Sequence, residues 1–153
     1  MTSNQELAKK GTEMFLGGYN CTQSVLTILY EHMPNEEKTN LIPRIASGFG
    51  GGIGLCGSVC GSLTGSIMAV GVKYGSNESG EANNVKAYTK SLRLFKQFEK
   101  QHGSAICREL IKYDLTKPED LDKARTEGVF EKRCVKFVAS AIENFLEMEQ
   151  EQV

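Results

Sequence analysis

No apolar run in this sequence approaches the length of a membrane span. The longest, "VLTILY" and "IMAVGV", fall far short of the roughly 20 residues a crossing helix needs. Neither charge sign is in excess: the formal net charge is −1, which gives no general reason to expect nucleic acid or anionic lipid as a partner. The N-terminus "MTSNQELAKKG" has no apolar stretch after a basic start, so no secretory signal is expected and the chain reads as cytoplasmic. There is no C-x-x-C, which removes a thioredoxin-type dithiol and a zinc knuckle, and no C-x-x-C-H for covalent haem. No Gly-Lys-Ser/Thr closes a Walker loop, and no strand-like alternation runs to a useful length. Tryptophan is absent and proline occurs three times, in a composition otherwise ordinary for a globular protein of 153 residues. That length suits one domain with a single core.

Five cysteines and sixteen glycines are what stand out. In a cytoplasmic setting, cysteines at this density suggest metal or redox work more than structural disulfides, although free Cys also packs as a small apolar residue. The rest of the pattern is helical. Ser3 and Glu6 have capping-box spacing and open a helix with Leu7, Ala8, Met14 and Phe15 inward, ending at Gly17-Gly18. Asn20 and Gln23 repeat the box before a second helix that stops near Pro34. A short helix is expected over Leu41 to Ala46. A long one is expected from about Glu81 to Gln101, with Val85, Tyr88, Leu92 and Phe95 on one face. The basic residues of that helix, Lys86, Lys90, Arg93, Lys96 and Lys100, read as a solvated face because nothing aromatic is interleaved with them. Further helices are expected from Ser104 to Lys112, after a Thr116 cap with Pro118 in the first turn, and from Phe130 to Glu149. The expected fold is all-α: a single-domain bundle of about six to seven helices spanning 1–153, with a Gly-rich loop leading into a Gly-faced central helix.

That loop, "SGFGGGIG", is too rich in glycine for a regular element. Gly52 to Gly57 satisfies G-x-G-x-x-G, but the βαβ unit that gives the motif meaning in a dinucleotide fold is missing. Helical character resumes at Cys56. Gly57, Gly61 and Gly65 are then one turn apart, drifting by roughly 40° per step. They would form a groove against which another backbone, or a bound group, can lie. Each interior glycine costs about 1 kcal/mol relative to Ala, so something compensates.

The cysteines are Cys21, Cys56, Cys60, Cys107 and Cys134. Cys21, and Cys56 or Cys60, fall near expected helix N-termini, where the macrodipole and free N–H groups stabilise a thiolate. If the helices bring such ends together, four thiolates make a site suited to an iron–sulfur cluster or to zinc; pairwise disulfide chemistry is the alternative. Spacing does not choose between them.

Taken together, "GYNCTQSVL", "GFGGGIGLCGSVCGSLTGSIMAVGVKYG", "SAICRELI" and "KRCVKFVASA" resemble the C_GCAxxG_C_C family of redox proteins, small cysteine proteins related to the cysteine domain of split-Soret cytochromes. The family motif, Cys-Gly-Ala-x-x-Gly, appears with Ser for Ala and in two overlapping phases, beginning at Cys56 and at Cys60. The continuation "SIMAVGVKYG" selects the second phase. The resemblance then implies Cys21, Cys60, Cys107 and Cys134 as the family set, with Cys56 a fifth thiol outside it. It implies redox activity, and an iron–sulfur centre by way of the cytochrome relative.

The leading expectation is therefore an electron-transfer protein in which those four cysteines ligate an iron–sulfur cluster, [2Fe–2S] by preference. Gly57 and Gly61 would lend backbone N–H groups or close approach, and a redox protein would be the partner. The second is a thiol–disulfide oxidoreductase or redox sensor with Cys60 or Cys56 as the attacking thiolate and His102 as a candidate base. The third is a zinc-stabilised helical binding module, and the fourth has no cofactor and cysteines as packing. A homodimer is left open.

Overall fold

The computed structural model describes residues 2–34 and 38–151. The protein is all-α. Seven α-helices are formed among the described residues: α1 (Asn4–Leu16), α2 (Cys21–His32), α3 (Gly61–Tyr74), α4 (Val85–His102), α5 (Cys107–Ile111), α6 (Pro118–Thr126) and α7 (Val135–Gln150). Short 3₁₀ turns occupy Arg44–Phe49 and Glu81–Asn84, and a π turn, Phe130–Cys134, leads into α7. No named strand occurs among the described residues; one isolated antiparallel bridge joins Val59 to Ile106. No helix among them is long and apolar enough to cross a membrane.

Local chemistry explains where the first helices begin. Both capping boxes form: Ser3 Oγ accepts from the Glu6 N–H while the Ser3 N–H donates to Glu6, and Asn20 and Gln23 do the same for α2. Packing then orders the bundle. α1 lies along α7 and α2 along α3, with α3 also against α4 and α7. Phe98, Phe145, Leu26, Leu29, Leu63, Leu94 and Ile142 are among the fully buried side chains of one shared core. Two reciprocal hydrogen bonds between Gln101 and the buried Asn144 tie α4 to α7.

Three expectations are corrected. The segment after Leu41 is a 3₁₀ turn beginning at Arg44, displaced toward the glycines. α3 starts at Gly61, so Gly57 is not on its face. Gly57 sits in the preceding turn at φ 76°, and the helical groove against α2 consists of Gly61 and Gly65 alone. A Cβ on Gly65 would come within 2.9 Å of the Thr22 carbonyl oxygen, which is why α2 and α3 approach so closely. Thr116 does not cap α6: its N–H and hydroxyl both turn back to Asp114, and Lys117 holds the cap position ahead of Pro118.

The apolar face read from α4 is also corrected at three of its four positions, Phe95 alone packing against the core. Val85, Tyr88 and Leu92 are exposed, whereas Leu94 and Phe98 face the core with Ala87 packed beside them. α4 carries apolar residues on two sides, and the less conspicuous set Ala87, Leu94 and Phe98, with Ser91 between, also has helical period. On the basic side, Lys86 and Lys90 lie over the Tyr74 ring and Arg93 pairs with Glu151.

Between the 3₁₀ turn and α3 the chain runs left-handed. Gly51, Gly52, Ile53, Gly54 and Leu55 all have φ between 54° and 70°. Such values are ordinary for glycine but rare for a β-branched residue such as Ile53. The coil is held by its own backbone, with Gly54 N–H donating to Gly48, Gly57 N–H to Gly51 and Ser58 N–H to Gly52.

Candidate functional site

Four cysteines stand at or beside the starts of four different helices. The Asn20–Gln23 cap fixes Cys21 as the first residue of α2, and Gln23 Nε2 and Asn20 Nδ2 also hold Ser47 of the glycine-rich segment, at 3.0 and 3.1 Å. Cys60 occupies the N-cap position of α3, and Cys107 is the first residue of α5, where a mid-helix position was expected. These two are drawn together by main-chain hydrogen bonds. Cys60 N–H donates to Ala105 O at 2.8 Å, Cys107 N–H to Ser58 O at 2.6 Å, and Arg108 N–H to Gly57 O at 3.1 Å. Cys134 closes the π turn ahead of α7, an irregularity that re-aims side chains relative to a continuous α-helix and is frequent at functional sites. Arg133 Nη1 donates to Ile111 O at 3.1 Å, anchoring this turn to the end of α5.

Cys21, Cys60, Cys107 and Cys134 all line one cavity of about 470 Å³. Phe15, Leu110, Leu115, Phe130 and Phe137 supply apolar wall, and the glycine coil, including Gly50, Gly51 and Gly54, supplies another side. Gly61 lines it too; a Cβ there would land on Cys21 Sγ and lie 2.5 Å from Thr22 Oγ1, so the absence of a side chain creates room for the Cys21 thiol. Neither Cys56 nor Gly57 lines the cavity. Cys56 is exposed, with its carbonyl held by Arg108 Nη2 at 3.1 Å and Arg108 in turn paired with Asp114. Gly57 is needed where the two main chains meet, since a Cβ would come within 2.9 Å of Arg108 Cβ.

Burial dominates the electrostatics. It pushes the Cys60 thiol up to about 12, reinforced by Cys21, while the Ser62 and Leu63 amides in the first turn of α3 pull the other way. Burial likewise raises Cys107 to about 11, again helped by Cys21. Cys21 is raised by burial against the opposing Gly51 N–H, Thr22 hydroxyl and Thr22 N–H, and Cys134 by burial together with the other three cysteines. The four thiols thus share one electrostatic neighbourhood, and at neutral pH each holds its proton unless a cation replaces it. His102 is half-buried between Phe98 and Phe137, where burial lowers its basicity; it does not line the cavity.

Two further residues carry a signal that sequence reading missed. Thr22 and Ser62 are fully buried; Ser62 Oγ has no hydrogen-bond partner among the described residues, and the Thr22 hydroxyl has none there but the adjacent Cys21 sulfur. Thr22 follows Cys21, and Ser62, two residues after Cys60, lines the cavity itself. An orphaned buried hydroxyl costs about 1–3 kcal/mol. In sequence they are merely hydroxyl residues near helix starts, where such residues are common for capping. No group of three or more His, Cys, Asp or Glu among the described residues is arranged to hold a metal ion.

A family model described as "Putative redox-active protein (C_GCAxxG_C_C)" matches residues 19–148. The chain belongs to this family. No curated protein and no solved structure matches it. Membership in the C_GCAxxG_C_C family gives redox activity as the coarse function of the chain, and the matched span contains all five cysteines.

Proposed function

We propose that this C_GCAxxG_C_C protein transfers electrons to or from a partner protein by way of an iron–sulfur cluster, [2Fe–2S] in the simplest stoichiometry, ligated by Cys21, Cys60, Cys107 and Cys134. The observation that carries the reading is the arrival of four thiols, from four helix starts, at one cavity. Four thiolates are the usual complement of such a cluster, which when bound supplies a one-electron couple. The residues present suit it. The Ser62 hydroxyl is a donor in want of an acceptor, the Thr22 hydroxyl is set against the Cys21 sulfur, and the α2 and α3 N-termini favour negative charge on the sulfurs nearby. Phenylalanine and leucine side chains supply an apolar wall beside the sulfurs.

The arrangement favours this over its rivals. An attacking thiolate needs a low pKa, whereas burial holds Cys60 at about 12, and Cys56 opens outside the cavity. A single tetrahedral zinc requires its sulfurs gathered about one centre at roughly 2.3 Å each. Two irons, taking two thiolates apiece, ask for less convergence.

The test is anaerobic reconstitution with iron and sulfide. A visible chromophore is expected, retained in Cys56→Ser and lost or strongly weakened in Cys21→Ser, Cys60→Ser, Cys107→Ser and Cys134→Ser. A colourless wild-type product, or a chromophore that depends on Cys56 and survives Cys134→Ser, overturns the reading.

A further inference from the structure

We propose that Lys90 of α4 is an acyl-acceptor lysine, modified by acyl phosphates whose negative charge is held beside it by Lys86. In sequence the basic side of α4 has no aromatic residue interleaved with it and reads as solvated. The fold supplies the ring from another helix. Tyr74, the last residue of α3, has Lys90 Nζ 4.4 Å and Lys86 Nζ 4.7 Å from its ring centroid, with Lys73 Nζ at 5.5 Å. Its hydroxyl is fixed to Glu149 of α7, reaching both carboxylate oxygens at 2.5 and 2.7 Å. The ring is thus an anchored platform on which three ammonium groups meet.

Their compensation is incomplete. Lys73 pairs with Glu149 and Arg93 with Glu151, whereas neither Lys86 nor Lys90 has a carboxylate within ion-pair distance among the described residues. An aromatic face attracts each cation, but one ring shared by three does little against their mutual repulsion. Lys90 is the half-buried member of the group and Lys86 is exposed. Burial lowers the basicity of Lys90 below the ordinary lysine value; Glu149 opposes this, and Lys86, Arg93 and Lys73 add to it. A lysine desolvated beside other cations is an activated nucleophile. The cations that favour its free amine also favour an anionic reagent at its side.

The reaction is an acyl transfer with no redox change. Once the ammonium has lost a proton to solvent, the Lys90 Nζ lone pair attacks the acyl carbon. A C–N bond forms, and the C–O bond to the phosphate oxygen breaks. Phosphate leaves with the bonding pair and takes up the second amine proton. The amide product is uncharged, which relieves the repulsion on Lys86 and ends the cation–π contact of residue 90. Tyr74 is separated from Cys60 by the whole of α3, about 20 Å, so this site stands apart from the sulfur cavity and from whatever occupies it.

Trace acetylation of the full chain with acetyl phosphate, read lysine by lysine by peptide mass spectrometry, tests this. Lys90 is expected to react several-fold faster than the exposed Lys9 and Lys100, and its lead should shrink when a neutral acetyl ester is the donor. Lys86→Gln should reduce the lead. Glu149→Gln should enlarge it, since that carboxylate steadies the Lys90 ammonium. Lys96→Gln, which alters a lysine facing Glu99, should leave it unchanged. A Lys90 no faster than Lys100, an equal lead with the neutral ester, or a lead indifferent to Lys86→Gln overturns the proposal.

Discussion

Ser62 buries a hydroxyl with nothing among the described residues to receive its proton, and Thr22 buries one whose partner there is the Cys21 sulfur. Removing one such group is expected to help the metal-free protein and to handicap the loaded one. Ser62→Ala should raise the unfolding free energy of metal-free protein by about 1 kcal/mol in urea titration, because an unsatisfied buried polar group disappears. In reconstituted protein the same substitution should move the midpoint potential to more negative values. A donor to sulfur stabilises the reduced, more negative state, and its loss does the reverse. The thiols make a separate prediction for the metal-free protein. Their folded pKa values lie above the ordinary 9.0, so the stability they contribute is fully present below pH 9 and is lost as pH rises through about 11 for Cys107 and about 12 for Cys60. The urea midpoint should therefore fall between pH 9 and 11, and fall less steeply in Cys60→Ser. None of this is visible in the sequence, where Cys56 and Cys60 have nearly identical neighbours. Burial distinguishes them, and burial is decided by segments distant along the chain.

Among the elements, glycine is the sharpest instrument for testing the packing. A methyl group at Gly61 would meet Cys21 Sγ and Thr22 Oγ1 at the crossing of α2 and α3, so Gly61→Ala is expected to destabilise by about 1–3 kcal/mol and to impair loading. Gly71, on the same helix, has no atom within 4 Å of its would-be Cβ. Gly71→Ala should stabilise by about 1 kcal/mol through helix propensity alone, as read by thermal unfolding. Helix starts were legible where a side chain makes them: both capping boxes follow from Ser3, Glu6, Asn20 and Gln23. They were not legible where the main chain makes them. Cys56 to Cys60 look helical by spacing, yet the left-handed run and the bridge to Ile106 hold them in turns until Gly61. On α4 periodicity identified a helix but not its inner side, because two apolar rows compete and only the neighbouring helices choose between them.

For the whole molecule, the informative property is how four sulfurs from widely separated segments come to share one cavity. An all-α bundle follows from periodicity, but this meeting rests on three long-range couplings with no sequence signature. Main chain around Ser58 binds main chain around Cys107, Arg133 anchors the π turn to α5, and the α2 cap grips Ser47. A group that binds the folded state alone raises stability by mass action, so the reconstituted protein should unfold at a higher temperature than the metal-free one, and Cys134→Ser should abolish the difference.

The main-chain pairing of the Cys60 and Cys107 segments has a consequence for the life of the site. Those hydrogen bonds run from main chain to main chain and use no cysteine sulfur, and the start of α2 is capped by Asn20 and Gln23. A zinc finger collapses when emptied because its metal is its core; here the core is the phenylalanine and leucine interior of the bundle. On the proposed cluster reading the protein would be a socket rather than a knot, expected to be discharged, left vacant and refilled while its scaffold stands.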